Sequence, residues 1–272
     1  MRVLEKIDLP YIVIIKGAGD LATGVAHRLW MAGFRLLMLD LPRPLVVRRS
    51  VAFAAAIMEG TVEVEGLTAS LAFKINEIDT LWRKGKIPVF VDPKGELVSK
   101  LRPQVLVDAV MAKKNTGTSI EDAPIVLGLG PGLEAGKDVH AVVETKRGQD
   151  LGRAIYSGFA AENTGMPGEV GKYSGERLLR APETGKIVPL KEIGALVKEG
   201  EMIALINNEV PISAGISGLL RGMIYPGMEV QKGMKVGDID PRGSEVDYKS
   251  ISDKARAVAG GALEAAMHLL TK

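Results

Sequence analysis

The sequence predicts an α/β fold: a mostly parallel sheet with helices, and a smaller all-β unit inserted ahead of a returning C-terminal helix. Three observations carry this. Residues 12–40 read strand, glycine turn, helix, strand. Short apolar runs between residues 87 and 143 suit strands buried on both faces. From residue 181 the texture changes to short glycine-punctuated segments that repeat at an offset of 33 residues.

The first strand is Ile12-Val-Ile-Ile-Lys16. Gly17-Ala-Gly19-Asp-Leu-Ala22 follows and opens a helix over 20–32, with Leu21, Val25 and Leu29 on one stripe and Gly33 at its end. Leu36–Asp40 is the next strand. A G-x-G-x-x-A turn between strand and helix, with an acid about 20 residues on, is the Rossmann-like arrangement that seats a phosphate on a helix N-terminus. Gly17 gives the bend, Gly19 admits phosphate to the backbone, and small Ala22 lets the helix lie close on the strand. Asp20 is awkward, because its charge repels phosphate and its side chain competes for the helix amides. It either points away or the ligand is not a standard pyrophosphate. Asp40 is placed to bind a ribose 2′-hydroxyl and nearby Arg43 to meet a 2′-phosphate, which leaves NAD and NADP both open.

Pro42 and Pro44 stop the second strand. A helix is predicted over 46–58, a short strand over 61–64 and a helix over 75–84. Strands follow at 87–92, 104–108, 124–128 and 139–143. Gly128-Leu-Gly130-Pro-Gly132 makes a second glycine turn that could form an amide nest for an anion or be simple turn chemistry. Lys113, Lys114, Lys146 and Arg147 follow strands and would suit phosphate, or are solvated surface charges. Asp92 and Asp108 would form an acid/base pair only if they meet. His140 reads as a packed core histidine. Residues 145–175 read as loop and linker.

In the repeat, Ala181, Gly185, Ile187, Gly194, Val197, Gly200 and Ile203 match Ala214, Gly218, Leu220, Gly227, Val230, Gly233 and Val236. This is the pattern of two pseudo-equivalent β halves. It resembles the biotinyl/lipoyl barrel-sandwich family, whose prosthetic group sits on a lysine in the hairpin joining the halves. The junction here, Ile206–Ala214, has no lysine, so the resemblance implies that fold without biotin or lipoate. The last helix is predicted over 252–270. The expected division is a Rossmann-like unit of 1–175 joined by 246–272, with a barrel-sandwich unit of 176–245 between.

Composition narrows function. The chain has 272 residues, no cysteine, 4% aromatics and a net charge of +2. Thiolate metal sites, persulfide carriage and disulfides are excluded. Neither a nucleic-acid partner nor an anionic membrane is indicated. No histidine or Ser/His/Asp spacing supports a metal or a hydrolytic triad. The charged N-terminus and the lack of a long apolar run set the expectation of a cytoplasmic protein.

Lys16–Leu29, Arg48–Phe53, Ala112–Gly117, Gly128–Gly132, Val139–Gly148 and Ile251–Ala257 together resemble one family across nearly the whole chain. It is the selenium-dependent molybdenum hydroxylase system protein family called YqeB. The first unit also resembles xanthine and carbon monoxide dehydrogenase maturation factors. The resemblance implies an accessory protein that helps mature a molybdenum hydroxylase client, binding a nucleotide or a molybdopterin-type cofactor, with no catalytic residue assigned. A homo-oligomer is compatible with it. An NAD(P)-dependent oxidoreductase and a non-catalytic interaction module are the alternatives. The absent cysteine places any selenium or sulfur carrier on another protein.

Overall fold

The computed structural model describes residues 11–162, 170 and 172–272. The N-terminal ten residues and part of the predicted linker, 163–169 and 171, lie outside them.

A nine-stranded sheet forms the larger part. In chain order the elements here are β1 (Ile12–Lys16), α1 (Asp20–Met31), β2 (Arg35–Asp40), α2 (Ala55–Glu59), β3 (Thr61–Val64), β4 (Leu67–Ala72), α3 (Ile78–Arg83), β5 (Lys86–Val91), α4 (Glu96–Leu101), β6 (Val105–Asp108), β7 (Ile125–Leu129), β8 (Glu134–Ala135), β9 (Ala141–Val143) and β10 (Ala154–Ile155), and all of these strands but β8 belong to the sheet. A short β11 (Gly158–Phe159) pairs with β8 outside it. The strand order is β10-β9-β7-β6-β1-β2-β5-β4-β3, with antiparallel pairs at both edges.

Side-chain alternation explains the layers. Val13, Ile15, Leu36, Met38, Val105 and Val107 face one core with α1 and α5 (Asp253–Leu270). Ile14, Leu37, Leu39, Leu106 and Val126 face the other, with Ile78, Leu97 and Val98 of α3 and α4. Strands buried on both faces cannot show a period of two in hydropathy, which is why they read as continuous apolar runs.

The remaining strands are β12 (Leu178–Arg180), β13 (Gly185–Pro189), β14 (Leu196–Val197), β15 (Met202–Ile206), β16 (Val210–Ser213), β17 (Gly218–Met223), β18 (Glu229–Val230) and β19 (Lys235–Asp240). They form two sheets, ordered β12-β19-β17-β14 and β16-β15-β13-β18. Advancing each strand of the first half by the 33-residue repeat carries one sheet's order onto the other. Each sheet therefore takes strands from both halves.

The predicted fold class is corrected. The large sheet is mixed. Its β6–β7 and β7–β9 crossovers carry no helix of their own, and that face is covered instead by α5, which packs on α1 and β7. The expected Rossmann-like sheet with a biotinyl/lipoyl-like insertion gives way to a large mixed sheet accompanied by two four-stranded antiparallel sheets.

Two local expectations also change. The predicted helix over 46–58 is a loop, a 3-10 turn at Arg49–Val51 and only then α2. Tertiary bonds override helix propensity there: the Ala54 amide donates to the Ala18 carbonyl at 2.8 Å and the Phe53 amide to Thr23 Oγ1 at 2.8 Å. β4 went unassigned because its Leu-Thr-Ala-Ser-Leu-Ala sequence alternates only weakly. It pairs with β3 through Glu65 and Gly66, both at positive φ, a two-residue hairpin turn.

Candidate functional site: a cationic centre at the glycine turn

The carboxyl ends of β1, β2, β6, β7 and β9 bring the predicted turns to one edge of the sheet. Chain direction across the sheet reverses between β1 and β6, the switch point where open α/β sheets leave a crevice.

Gly17 lies at φ +92°, and a Cβ there would stand 2.9 Å from the Ala109 carbonyl oxygen. No other residue closes this turn against the loop after β6. Asp40 holds the turn from the other side. Its carboxylate accepts the Ala18 amide at 2.7 Å and the Leu41 amide at 2.7 Å. Burial raises its pKa against the pull of those two amides. The residue expected to read a ribose thus builds the turn itself, while Arg43 is exposed.

Beneath the crevice, Lys16 donates to Thr118 Oγ1 at 2.6 Å and lies 3.8 Å from Asp108, to which the Thr118 hydroxyl also donates. Asp92 caps α4, its carboxylate accepting the Glu96 and Leu97 amides. β2 and β1 separate it from Asp108 by about 14 Å at ordinary strand spacing, so the two acids do not meet.

The second glycine turn is explained by packing. Gly130 and Gly132 lie at φ +70° and +103°, and a Cβ on Gly132 would run into the Ala112 carbonyl. Gly128 is pressed against Leu133. This brings the turn onto the loop of Lys113 and Lys114, both exposed. Lys146 is exposed as well. Arg147 is committed elsewhere, making a bidentate pair with Asp253 in the first turn of α5 at 2.7 and 2.8 Å. His140 accepts the Val126 amide on Nδ1, and burial lowers its pKa, as suits a packed neutral imidazole.

The first turn of α1 is where charge collects. Gly19 is its N-cap and offers no side chain, so the amides of Asp20, Leu21 and Ala22 have no capping partner among the described residues. Asp20 pairs with Arg48 at 3.6 Å. The Arg48 side chain is only 9% exposed, donates from Nη2 to the Ser250 carbonyl and leaves Nε buried with no hydrogen bond. Burial lowers the Arg48 pKa, and the Asp20 charge partly restores it.

Two ammonium groups feel the Asp20 charge as well. Lys235 enters from β19 and Lys254 from α5. Neither has a hydrogen bond or ion pair among the described residues. Burial lowers both, the Asp20 carboxylate acts on both, and Lys235 lowers Lys254 further. A chain of ion pairs runs nearby, in which Arg177 and Arg221 meet buried Asp238, and Arg221 and exposed Arg242 meet buried Asp240. Burial pushes the Asp240 carboxyl up, and the guanidiniums of Arg242 and Arg221 outweigh that and hold it below the usual range. Arg48, Arg177, Arg221, Lys235, Arg242 and Lys254 share this region with Asp20, Asp238, Asp240, Glu144 and Asp253.

Sequence reading singled out Gly17, Gly19, Asp20, Ala22 and Asp40 at this place but missed every cation in it. Arg48 and Lys254 stood inside stretches that carried the family resemblance, without a role. Arg221, Asp238 and Asp240 had a visible signal: charges inside short apolar strands, which cost free energy unless paired. The β sheets close the arrangement. Arg49 Nε donates to the Met223 carbonyl at 3.1 Å, and the Tyr225 hydroxyl donates to Glu59 at 2.6 Å.

Two cavities lie away from this centre. One of about 530 Å³ opens beside Trp30, Arg35 and Trp82 near the amino end of β2, and one of about 430 Å³ beside Glu144, Arg153 and Tyr156. Among the described residues no group of three or more His, Cys, Asp or Glu could hold a metal ion, and no helix is long and apolar enough to cross a membrane.

No family model matches the chain. Among solved structures, an aspartoacylase family protein from Mesorhizobium loti is 14% identical, with 85% of this chain and 84% of that one covered at a TM-score of 0.27. A succinylglutamate desuccinylase from a Silicibacter species is 13% identical, with 85% of each chain covered at a TM-score of 0.25. At TM-scores below 0.5 they bear on no activity. The uncharacterized protein YqeB of Escherichia coli K12 is 50% identical over 259 residues, which are 95% of this chain and 48% of that protein. The chain therefore spans about half the length of the curated relative it matches. That identity supports, along the residues shared, a relationship to the YqeB family.

Proposed function

We propose that the chain is an accessory protein in the maturation of a selenium-dependent molybdenum hydroxylase, and that its part is to hold a phosphate-bearing small molecule at the glycine turn. The class comprises nucleotides and molybdopterin-type cofactors. The observation that carries the binding reading is the uncapped first turn of α1, whose Asp20 carboxylate acts on the ammonium groups of Lys235 and Lys254. Helix amides and partly desolvated cations together favour a multiply charged anion. The maturation role rests on the motif resemblance and on the absence of cysteine, which leaves chalcogen chemistry to a partner and binding to this chain.

An NAD(P)-dependent oxidoreductase fits less well, because both Asp40 oxygens already accept backbone amides. Mass spectrometry of small molecules released from the purified protein tests the reading. A phosphorylated pterin or nucleotide supports it. The variant Gly19→Glu is expected to lose that molecule while staying folded. Gly19 has an ordinary φ of −66°, and a Cβ there would meet only Val46 at 3.8 Å. Retention of the molecule by the folded variant would overturn the assignment.

A further inference from the structure

We infer that the cavity at the amino end of β2 binds a planar aromatic anion, its ring against Trp30 and Trp82 and its carboxylate or phosphate on the guanidiniums of Arg35 and Arg83. The cavity has a volume of about 530 Å³ and opens to solvent. It lies at the other edge of the sheet from the glycine turn, about 17 Å away along β2, so a ligand here leaves that turn free.

Both tryptophans of this aromatic-poor chain line the cavity. Trp30 comes from the last turn of α1 and Trp82 from α3, helices that pack on opposite faces of the sheet. Leu29 and Ile78 bury the two helices in the core, and the indoles lie at its margin with surface left exposed. Nε1 of Trp82 donates to the Leu36 carbonyl at 2.8 Å, which fixes the ring, and the Arg35 guanidinium carbon stands over it at 5.9 Å from the centroid. Gly33 ends α1 at φ +95° and leaves that wall without a side chain.

The charges select the ligand. The Arg35 guanidinium makes no hydrogen bond or ion pair among the described residues. Arg83 donates from Nε to the Asp79 carbonyl, one turn back, at 3.3 Å, and its two terminal nitrogens have no partner among the described residues. Asp79 is the one acid on the lining, so two guanidiniums face one carboxylate. A guanidinium offers a planar fork that takes a carboxylate or a phosphate through two parallel bonds, and it stacks on flat rings. A cavity of this size, walled by aromatic groups with a few charges, is the usual form of a small-molecule site. A saturated ligand would forgo the indoles and a neutral one the guanidiniums, and a cation would meet a net positive wall.

The test is calorimetric titration of the full chain with 2-naphthoate, 2-naphthyl phosphate, 2-naphthalenemethanol and cyclohexanecarboxylate. At least one of the two aromatic anions is expected to bind saturably, and the tighter of them identifies the acidic group. The neutral alcohol and the saturated acid are each expected to bind at least about tenfold more weakly, the scale of one charge-assisted hydrogen bond or one stacked ring. Arg35→Gln and Arg83→Gln, both at exposed positions, are each expected to weaken the better anion by about tenfold and to leave the alcohol nearly unchanged. Urea denaturation of each variant checks that the fold persists. Protein carrying 5-fluorotryptophan reports the place of binding, because it has one fluorine resonance for each of its two indoles, and both should shift on saturation. Gly19→Glu should bind the better anion as the wild type does. Binding of neither anion would overturn the inference. So would an alcohol that binds as tightly as the anion, arginine variants that bind it as the wild type does, or saturable binding that moves neither fluorine resonance. Loss of binding in Gly19→Glu would also overturn it, and would leave the glycine-turn reading standing.

Discussion

Thr23→Val tests how the glycine turn is locked to the segment that carries Arg48. Thr23 is fully buried in α1. Its Oγ1 accepts the Phe53 amide at 2.8 Å and donates to the Ala18 carbonyl at 3.3 Å. Valine keeps the shape but orphans the Phe53 N–H, at a cost of about 1–3 kcal/mol for a buried unsatisfied donor. The longer bond to Ala18 adds little, because that carbonyl keeps the Ala54 amide at 2.8 Å. Exchanging a hydroxyl for a methyl returns at most about 0.8 kcal/mol of burial. The net expectation is a loss of about 1–2 kcal/mol, read as a lower urea midpoint at constant m-value. Thr23→Ser, which keeps the hydroxyl, should lose less. A valine variant within about 0.5 kcal/mol of wild type, or a serine variant that loses as much as valine, would refute this account of the lock.

Two further predictions concern the neighbouring loops. Gly132→Ala should destabilise by more than about 1 kcal/mol, because φ is +103° and the new Cβ runs into the Ala112 carbonyl; an unchanged urea midpoint would contradict this. Arg147 holds the Asp253 carboxyl well below its ordinary range through their bidentate hydrogen bonds. A depressed folded pKa adds stability above the unfolded value, and that stability is lost as pH falls below about 4. The pair is exposed, so Asp253→Asn should cost less than about 1 kcal/mol at pH 7, with the difference from wild type shrinking below pH 4; a difference independent of pH would refute the assignment.

What could be read from the sequence, and what could not, follows from the range of the interactions. β1, α1 and β2 are set by local patterning, and their predicted bounds lie within a residue or two of those observed. The 33-residue repeat was visible because glycine turns recur at fixed offsets, and the exchange of strands between its two sheets follows the same offset. The 46–58 segment went wrong because its amides bond to Ala18 and Thr23, far away in sequence. The sheet class went wrong because the face over β7 and β9 is covered by a helix more than a hundred residues downstream. The cationic centre has the same origin. Arg48, Lys235 and Lys254 come from three separated stretches, and only the packing of α5 on α1 and of the small sheets on the loop after β2 brings them to Asp20.

The central claim, an anion held by the amides of α1 and the cations around them, is tested most directly by titrating inorganic phosphate into the wild type and into Gly19→Glu. The account predicts saturable binding by the wild type and none by a variant whose urea midpoint is unchanged. A wild type that takes no phosphate, or a variant that binds it equally well, would contradict the account.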